Sequence, residues 1–122
     1  MQETRTLVLY GGAGAIGTAV HFAVLFAALP LAGPVIASTA GAILGCLVNF
    51  ALSRDLVFAS RAPYRRSLPR FVCVATLGVV VNALLMAALA GVLAVVLSQA
   101  IASITVLLLG YTLNSRWTFD ER

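Results

Sequence analysis

The sequence predicts an all-α membrane protein whose four transmembrane helices form two helical hairpins, repeated in parallel, with both termini on the cytoplasmic side. Three observations carry this reading. Residues 6–53 and 71–115 are runs of 48 and 45 residues without Asp, Glu, Lys or Arg. One crossing of a hydrocarbon core roughly 30 Å thick takes about 20 apolar residues, so each run has the length of two crossings and a short turn. Between the runs lies RDLVFASRAPYRRSLPR, which holds Arg54, Arg61, Arg65, Arg66 and Arg70, five of the eight basic residues.

The elements follow in order. Helix one is expected over residues 7–29, ended by Pro30, Gly33 and Pro34, which stop a helix and permit a tight turn. Helix two is expected over 35–53. Helix three begins near Phe71, just after Pro69, whose missing N–H is tolerated in a first helical turn, and runs to about residue 92. Helix four covers about 96–115. Arg5 precedes helix one, the basic stretch separates helices two and three, and Arg116 and Arg122 follow helix four. The other two turns carry no charge. Because Lys and Arg concentrate in cytoplasmic flanks and short loops, both ends and the central stretch are expected in the cytoplasm, with the spans in the cytoplasmic (inner) membrane.

A shift of 61 residues, without a gap, divides the chain into repeats 1–61 and 62–122 of a single transmembrane domain. It places Gly17 on Gly78, His21 on Asn82, Phe50 on Tyr111, Leu52 on Leu113, Ser53 on Asn114, Leu56 on Trp117 and Phe58 on Phe119. Two spans per repeat bring both repeats into the membrane in the same direction, related by a pseudo-twofold axis along the membrane normal.

Composition excludes several classes of function. With 122 residues, 61% of them hydrophobic and 10% charged, the four spans leave no length for a soluble catalytic domain. The net charge of +4 comes from arginines at the ends of spans, which points to anionic phospholipid and away from nucleic acid. Cys46 and Cys73 fall inside different spans, where they read as small apolar residues. The run after Arg5 leads directly into another span, so it is expected to be a retained helix rather than a cleaved signal. No span contains a carboxylate, there is one His, and no nucleophile, base or metal constellation is present; neither catalysis nor a cofactor is expected.

Three stretches carry a resemblance to a known family: Gly14-Ala15-Ile16-Gly17-Thr18-Ala19-Val20-His21; Asn49-Phe50 with Ser53-Arg54-Asp55-Leu56-Val57-Phe58; and Tyr111-Thr112-Leu113-Asn114-Ser115-Arg116-Trp117-Thr118-Phe119. Together they resemble the GtrA-like family, which includes the membrane domain of some dolichol-phosphate mannose synthases. The likeness covers nearly the whole chain. Where the family often has Arg and Trp in the first end-motif this chain has Asp55 and Leu56, and where it often has Asn in the second this chain has Gly110. The resemblance implies a membrane protein of cell-surface polysaccharide synthesis that moves polyprenyl-phosphate-linked sugars, or anchors the glycosyltransferase that makes them.

Candidate residues are the polar groups at membrane depth and the cations at span ends. Gly14, Thr18 and His21 share one helical face, as do Ala75, Gly78 and Asn82; His21 and Asn82 either lock helix packing or line a path for a headgroup. Ser38, Gly41, Gly45 and Asn49 form a stripe of small residues ending in an amide, a packing seam internal to the hairpin or between two copies. Arg54 and Arg116 are membrane-belt anchors or, with Asn49, Asn114, Asp55 and Trp117, bind the phosphate of a polyprenyl carrier. Asp55 is placed to pair with Arg116 across the pseudo-twofold. Arg61, Arg65, Arg66 and Arg70 are expected to contact anionic lipid or a partner enzyme.

Three functions fit this pattern: a lipid-linked sugar flippase, a non-catalytic subunit presenting substrate to a polyprenyl-phosphate glycosyltransferase, and a small multidrug-type exporter. The exporter is disfavoured, since proton coupling needs a carboxylate in a span and dual insertion needs a weak charge bias. Four spans enclose little room for a sugar, so a homo-oligomer, most simply a dimer using the Gly41/Gly45 stripe, is expected.

Overall fold

The computed structural model describes residues 2–89 and 91–121. Ala90, expected in helix three, and Arg122, expected in the basic C-terminal flank, lie outside the described residues. Those described are all helical or irregular, with no strand among them, and four helices are long and apolar enough to cross a membrane. These are α1 (Gln2–Gly33), α2 (Ile36–Val57), α3 (Tyr64–Leu89) and α4 (Val95–Leu113). The chain divides into two units, Met1–Ser60 with α1 and α2 and Arg61–Arg122 with α3 and α4.

Helix α1 starts five residues before the expected boundary and continues through Pro30. Proline removes a single backbone hydrogen bond, and this near the helix end, so the helix persists until Gly33, where φ of 80° and ψ of 169° break it. A residue with a Cβ is disfavoured in that backbone conformation. At 1.5 Å per residue the 32 residues of α1 span about 48 Å, more than the hydrocarbon thickness.

Helix α3 corrects the sequence reading more strongly, because it starts at Tyr64 rather than Phe71 and takes Pro69 into its second turn. Pro63 sets the start. Its carbonyl accepts from the amides of Arg66 (3.0 Å) and Ser67 (2.9 Å) and from the Ser67 hydroxyl (3.0 Å), which satisfies groups a helix end leaves orphaned. The helix closes at Leu89, whose carbonyl accepts from the amides of Val92 and Leu93, and α4 begins after an extended Ala94.

Each unit is an antiparallel pair, and the contacts show why. In the first, a Cβ on Gly17 would lie 2.8 Å from the Gly45 carbonyl oxygen, and one on Gly45 would lie 2.5 Å from the Gly17 oxygen. A Cβ on Gly41 would lie 2.5 Å from the His21 oxygen. Partners that descend as residue numbers rise define helices running in opposite directions, and only glycine admits backbones this close. The Gly41/Gly45 stripe is therefore a seam inside one unit, and the expected dimer contact there is corrected. In the second unit Gly78 takes the corresponding place, its Cβ position 3.1 Å from a Val106 methyl.

Both units end in the same device. Helix α2 finishes with a π-helical turn at Ser53–Val57, and α4 is followed by one at Asn114–Thr118, 61 residues later. The amides of Phe58 and Phe119 close these turns on the carbonyls of Ser53 and Asn114, each at 2.9 Å. Tyr10 then meets Phe58 with ring centres 5.9 Å apart, and Phe71 meets Phe119 at 6.1 Å. The wider π ring carries each helix past its expected end and turns an aromatic inward to cover it.

Candidate functional site

The π-helical turn of the second unit gathers more polar chemistry than any other part of that unit. Thr118 and Asn114 are buried at its centre, and the Thr118 hydroxyl donates to Asn114 Oδ1 at 2.6 Å. Asn114, expected at a lipid headgroup, is 1% exposed and braces the turn instead. Burial of an amide requires such a partner, and a threonine one turn later supplies it.

Around this centre, side chains from the start of α3 hold the carbonyls that a helix C-terminus leaves free. Arg66 donates from Nη2 to the Asp120 carbonyl at 2.5 Å, and Arg70 donates from Nη1 to the Trp117 carbonyl at 2.8 Å. The Arg70 guanidinium also lies over the Trp117 ring, 5.2 Å from its centre. Glu121 accepts from the Arg61 backbone amide at 2.7 Å. Two of the four arginines assigned to anionic lipid or a partner are thus engaged within the protein, where positive charge meets the negative end of the helix dipole. Arg61, Arg65 and Arg116 face outward. Arg116 makes no hydrogen bond or ion pair among the described residues, and it stands next to the partly exposed Trp117.

The first unit arranges the matching end differently. Arg54 pairs with Asp55, its chain neighbour, at 2.7 Å; the sequence reading sought the partner of Asp55 in Arg116. The Arg54 side chain is 15% exposed and that of Asp55 50%. Asn49 is half-buried, accepts from the Ser53 hydroxyl at 3.2 Å, and packs its Cβ against Gly17. Arg5, exposed at the start of α1, lies with Thr4, Val8 and Leu9 along an open groove of about 480 Å³.

At membrane depth the two expected equivalents part company. His21 lays its ring against Gly41 and stacks on Phe22 at 5.6 Å, while Nε2 is buried without a hydrogen-bond partner among the described residues. Thr18 satisfies its hydroxyl on the Gly14 carbonyl of its own helix at 3.0 Å. Asn82 instead accepts from Gln99 Nε2 at 2.9 Å, and the same nitrogen donates to Ser103 Oγ at 3.0 Å. Sequence reasoning missed Gln99 and Ser103. The available signal was a polar glutamine inside a charge-free apolar run, 61 residues after Ser38.

The family model described as GtrA/DPMS, transmembrane domain, matches residues 9–120 of the chain. No curated protein and no solved structure matches it.

Proposed function

Because the chain belongs to the family of GtrA/DPMS transmembrane domains, we propose that it moves polyprenyl-phosphate-linked sugars across the cytoplasmic membrane for synthesis of cell-surface polysaccharide. The observation that carries this reading is Arg116, an outward guanidinium next to Trp117 on a π-helical turn that Arg66 and Arg70 brace from behind. A planar guanidinium binds phosphate oxygens bidentately, and a neighbouring indole offers a face to sugar or isoprene.

In this reading both units enter the membrane in the same direction, with the basic stretch and both ends of the chain in the cytoplasm. The carrier phosphate is first taken up on the cytoplasmic side by an arginine at a span end, Arg54 or Arg116; phosphate and sugar then cross together along a polar helix face, that of His21 or that of Asn82, and the isoprenoid tail remains in lipid. No fuel is needed if the sugar is consumed on the far side, because the concentration difference sets direction. A homodimer would enlarge the space for the headgroup. Its interface would lie away from Gly41 and Gly45, which are filled by α1.

A second reading, a non-catalytic anchor that presents lipid substrate to a glycosyltransferase, is favoured by the family description itself, which joins GtrA to the DPMS membrane domain. The purified chain alone in liposomes separates the two. A flippase exposes polyprenyl-phosphate sugar from the inner leaflet to an impermeant reagent, so that about all of it reacts. An anchor leaves the inner-leaflet half protected, and that result contradicts the flippase reading.

A further inference from the structure

We propose that Asn82, Gln99 and Ser103 form a site for the hydroxyl groups of an uncharged sugar headgroup, an inference that rests on the lipid-linked-sugar reading above. Gln99 uses both amide hydrogens, one on Asn82 Oδ1 at 2.9 Å and one on Ser103 Oγ at 3.0 Å. Gln99 Oε1, both hydrogens of Asn82 Nδ2 and the Ser103 hydroxyl hydrogen then have no hydrogen-bond partner among the described residues. Gln99 and Ser103 are exposed and Asn82 is half-buried, so these groups are open to a visitor. All three lie on helices long and apolar enough to cross a membrane, where polar groups left without partners are costly.

The free groups are neutral and of both kinds, donors and an acceptor, which is the pattern a sugar hydroxyl meets with its own donor and lone pairs. No charged residue lies between Arg70 and Arg116 in the sequence. A uronic acid carboxylate or an amino-sugar ammonium would therefore enter the site without a counter-charge, at the desolvation cost of a bare ion. The first unit packs its helix pair without such a cluster. The first unit joins its own antiparallel pair through Gly17, Gly41 and Gly45, and the positions 61 residues before Asn82, Gln99 and Ser103 are His21, Ser38 and Ala42.

The test uses the full chain in liposomes with two probes, a polyprenyl-phosphate hexose and a polyprenyl-phosphate uronic acid, following leaflet exchange of each. The native chain is expected to exchange the hexose about tenfold faster, and Gln99→Leu to lose about tenfold on the hexose alone, in line with one forfeited hydrogen-bonding group. Gln99→Glu is expected to impair both probes, the uronic acid more. Equal exchange of both probes by the native chain, unaffected by Gln99→Leu, would overturn the site and leave the transport reading standing. Exchange of neither probe would remove both. If Gln99→Leu slows both probes in equal proportion while lowering thermal stability or dissociating an oligomer, the cluster is a packing contact and the inference fails.

Discussion

The guanidinium of Arg70 lies 5.2 Å from the centre of the Trp117 ring and donates to the carbonyl of the same residue at 2.8 Å. One side chain thus fixes both the ring and the backbone of the turn that presents Arg116. The contact should couple the two residues by about 0.5–1 kcal/mol, the range for a partly exposed cation over an indole. A double-mutant cycle of Arg70→Ala and Trp117→Ala, read by thermal unfolding in detergent, measures it. Additive losses would show that the ring and the cation act separately. Arg70→Lys should recover little, since an ammonium lacks the planar fork that serves both contacts.

Thr118→Val removes the hydroxyl that Asn114 Oδ1 accepts and preserves shape. With Asn114 buried, loss of this hydrogen bond should cost about 0.5–1.5 kcal/mol, the usual net worth of one such bond. The first unit has Val57 at the corresponding place, opposite a serine rather than an asparagine, so Val57→Thr should change stability far less. Equal effects would contradict the view that the asparagine demands its threonine.

Gly45→Ala places a methyl 2.5 Å from the Gly17 carbonyl oxygen, where backbone must move. A loss of about 1–3 kcal/mol is expected, as for other overpacked contacts. Gly12→Ala is the control, because its Cβ position has nothing within 4 Å. It should be neutral or slightly stabilising through better helix propensity. Unfolding in a mild detergent distinguishes the two, and equal stability would mean that α1 and α2 do not meet at Gly17 and Gly45.

Arg116→Ala and Arg54→Ala should impair function more than Arg61→Ala. Arg116 offers an outward guanidinium and Arg54 belongs to the matching turn, whereas the residue 61 contact is made by its backbone amide, which alanine keeps. Sugar modification in cells expressing each variant at matched levels checks this, and equal losses would oppose it.

Much of this arrangement was legible in the chain because the bilayer imposes it. Charge-free runs of 48 and 45 residues leave four apolar helices as the solution. Helix ends were less legible. Pro30 and Pro69 signal breaks, yet a helix loses one hydrogen bond at a proline and can continue where neighbouring turns hold it. The π-helical turns leave no composition signal at all; their trace is the 61-residue recurrence of an aromatic at Phe58 and Phe119. Residue roles were least legible where they depend on which helix faces which. Arg66 and Arg70 read as surface cations until the C-terminal carbonyls are seen beside them, and Gln99 acquires meaning only opposite Asn82.

Uptake of a carrier phosphate from the cytoplasm requires the arginines of both units to lie at one face of the membrane. With Cys46 and Cys73 replaced by alanine, Arg65→Cys places a thiol at an exposed position of the central basic stretch. Labelled with an impermeant maleimide, it should stay unreacted in intact cells and react once the cytoplasmic membrane is permeabilised. Full labelling in intact cells would place the basic stretch outside and contradict both the shared orientation of the units and the cytoplasmic binding of a carrier phosphate.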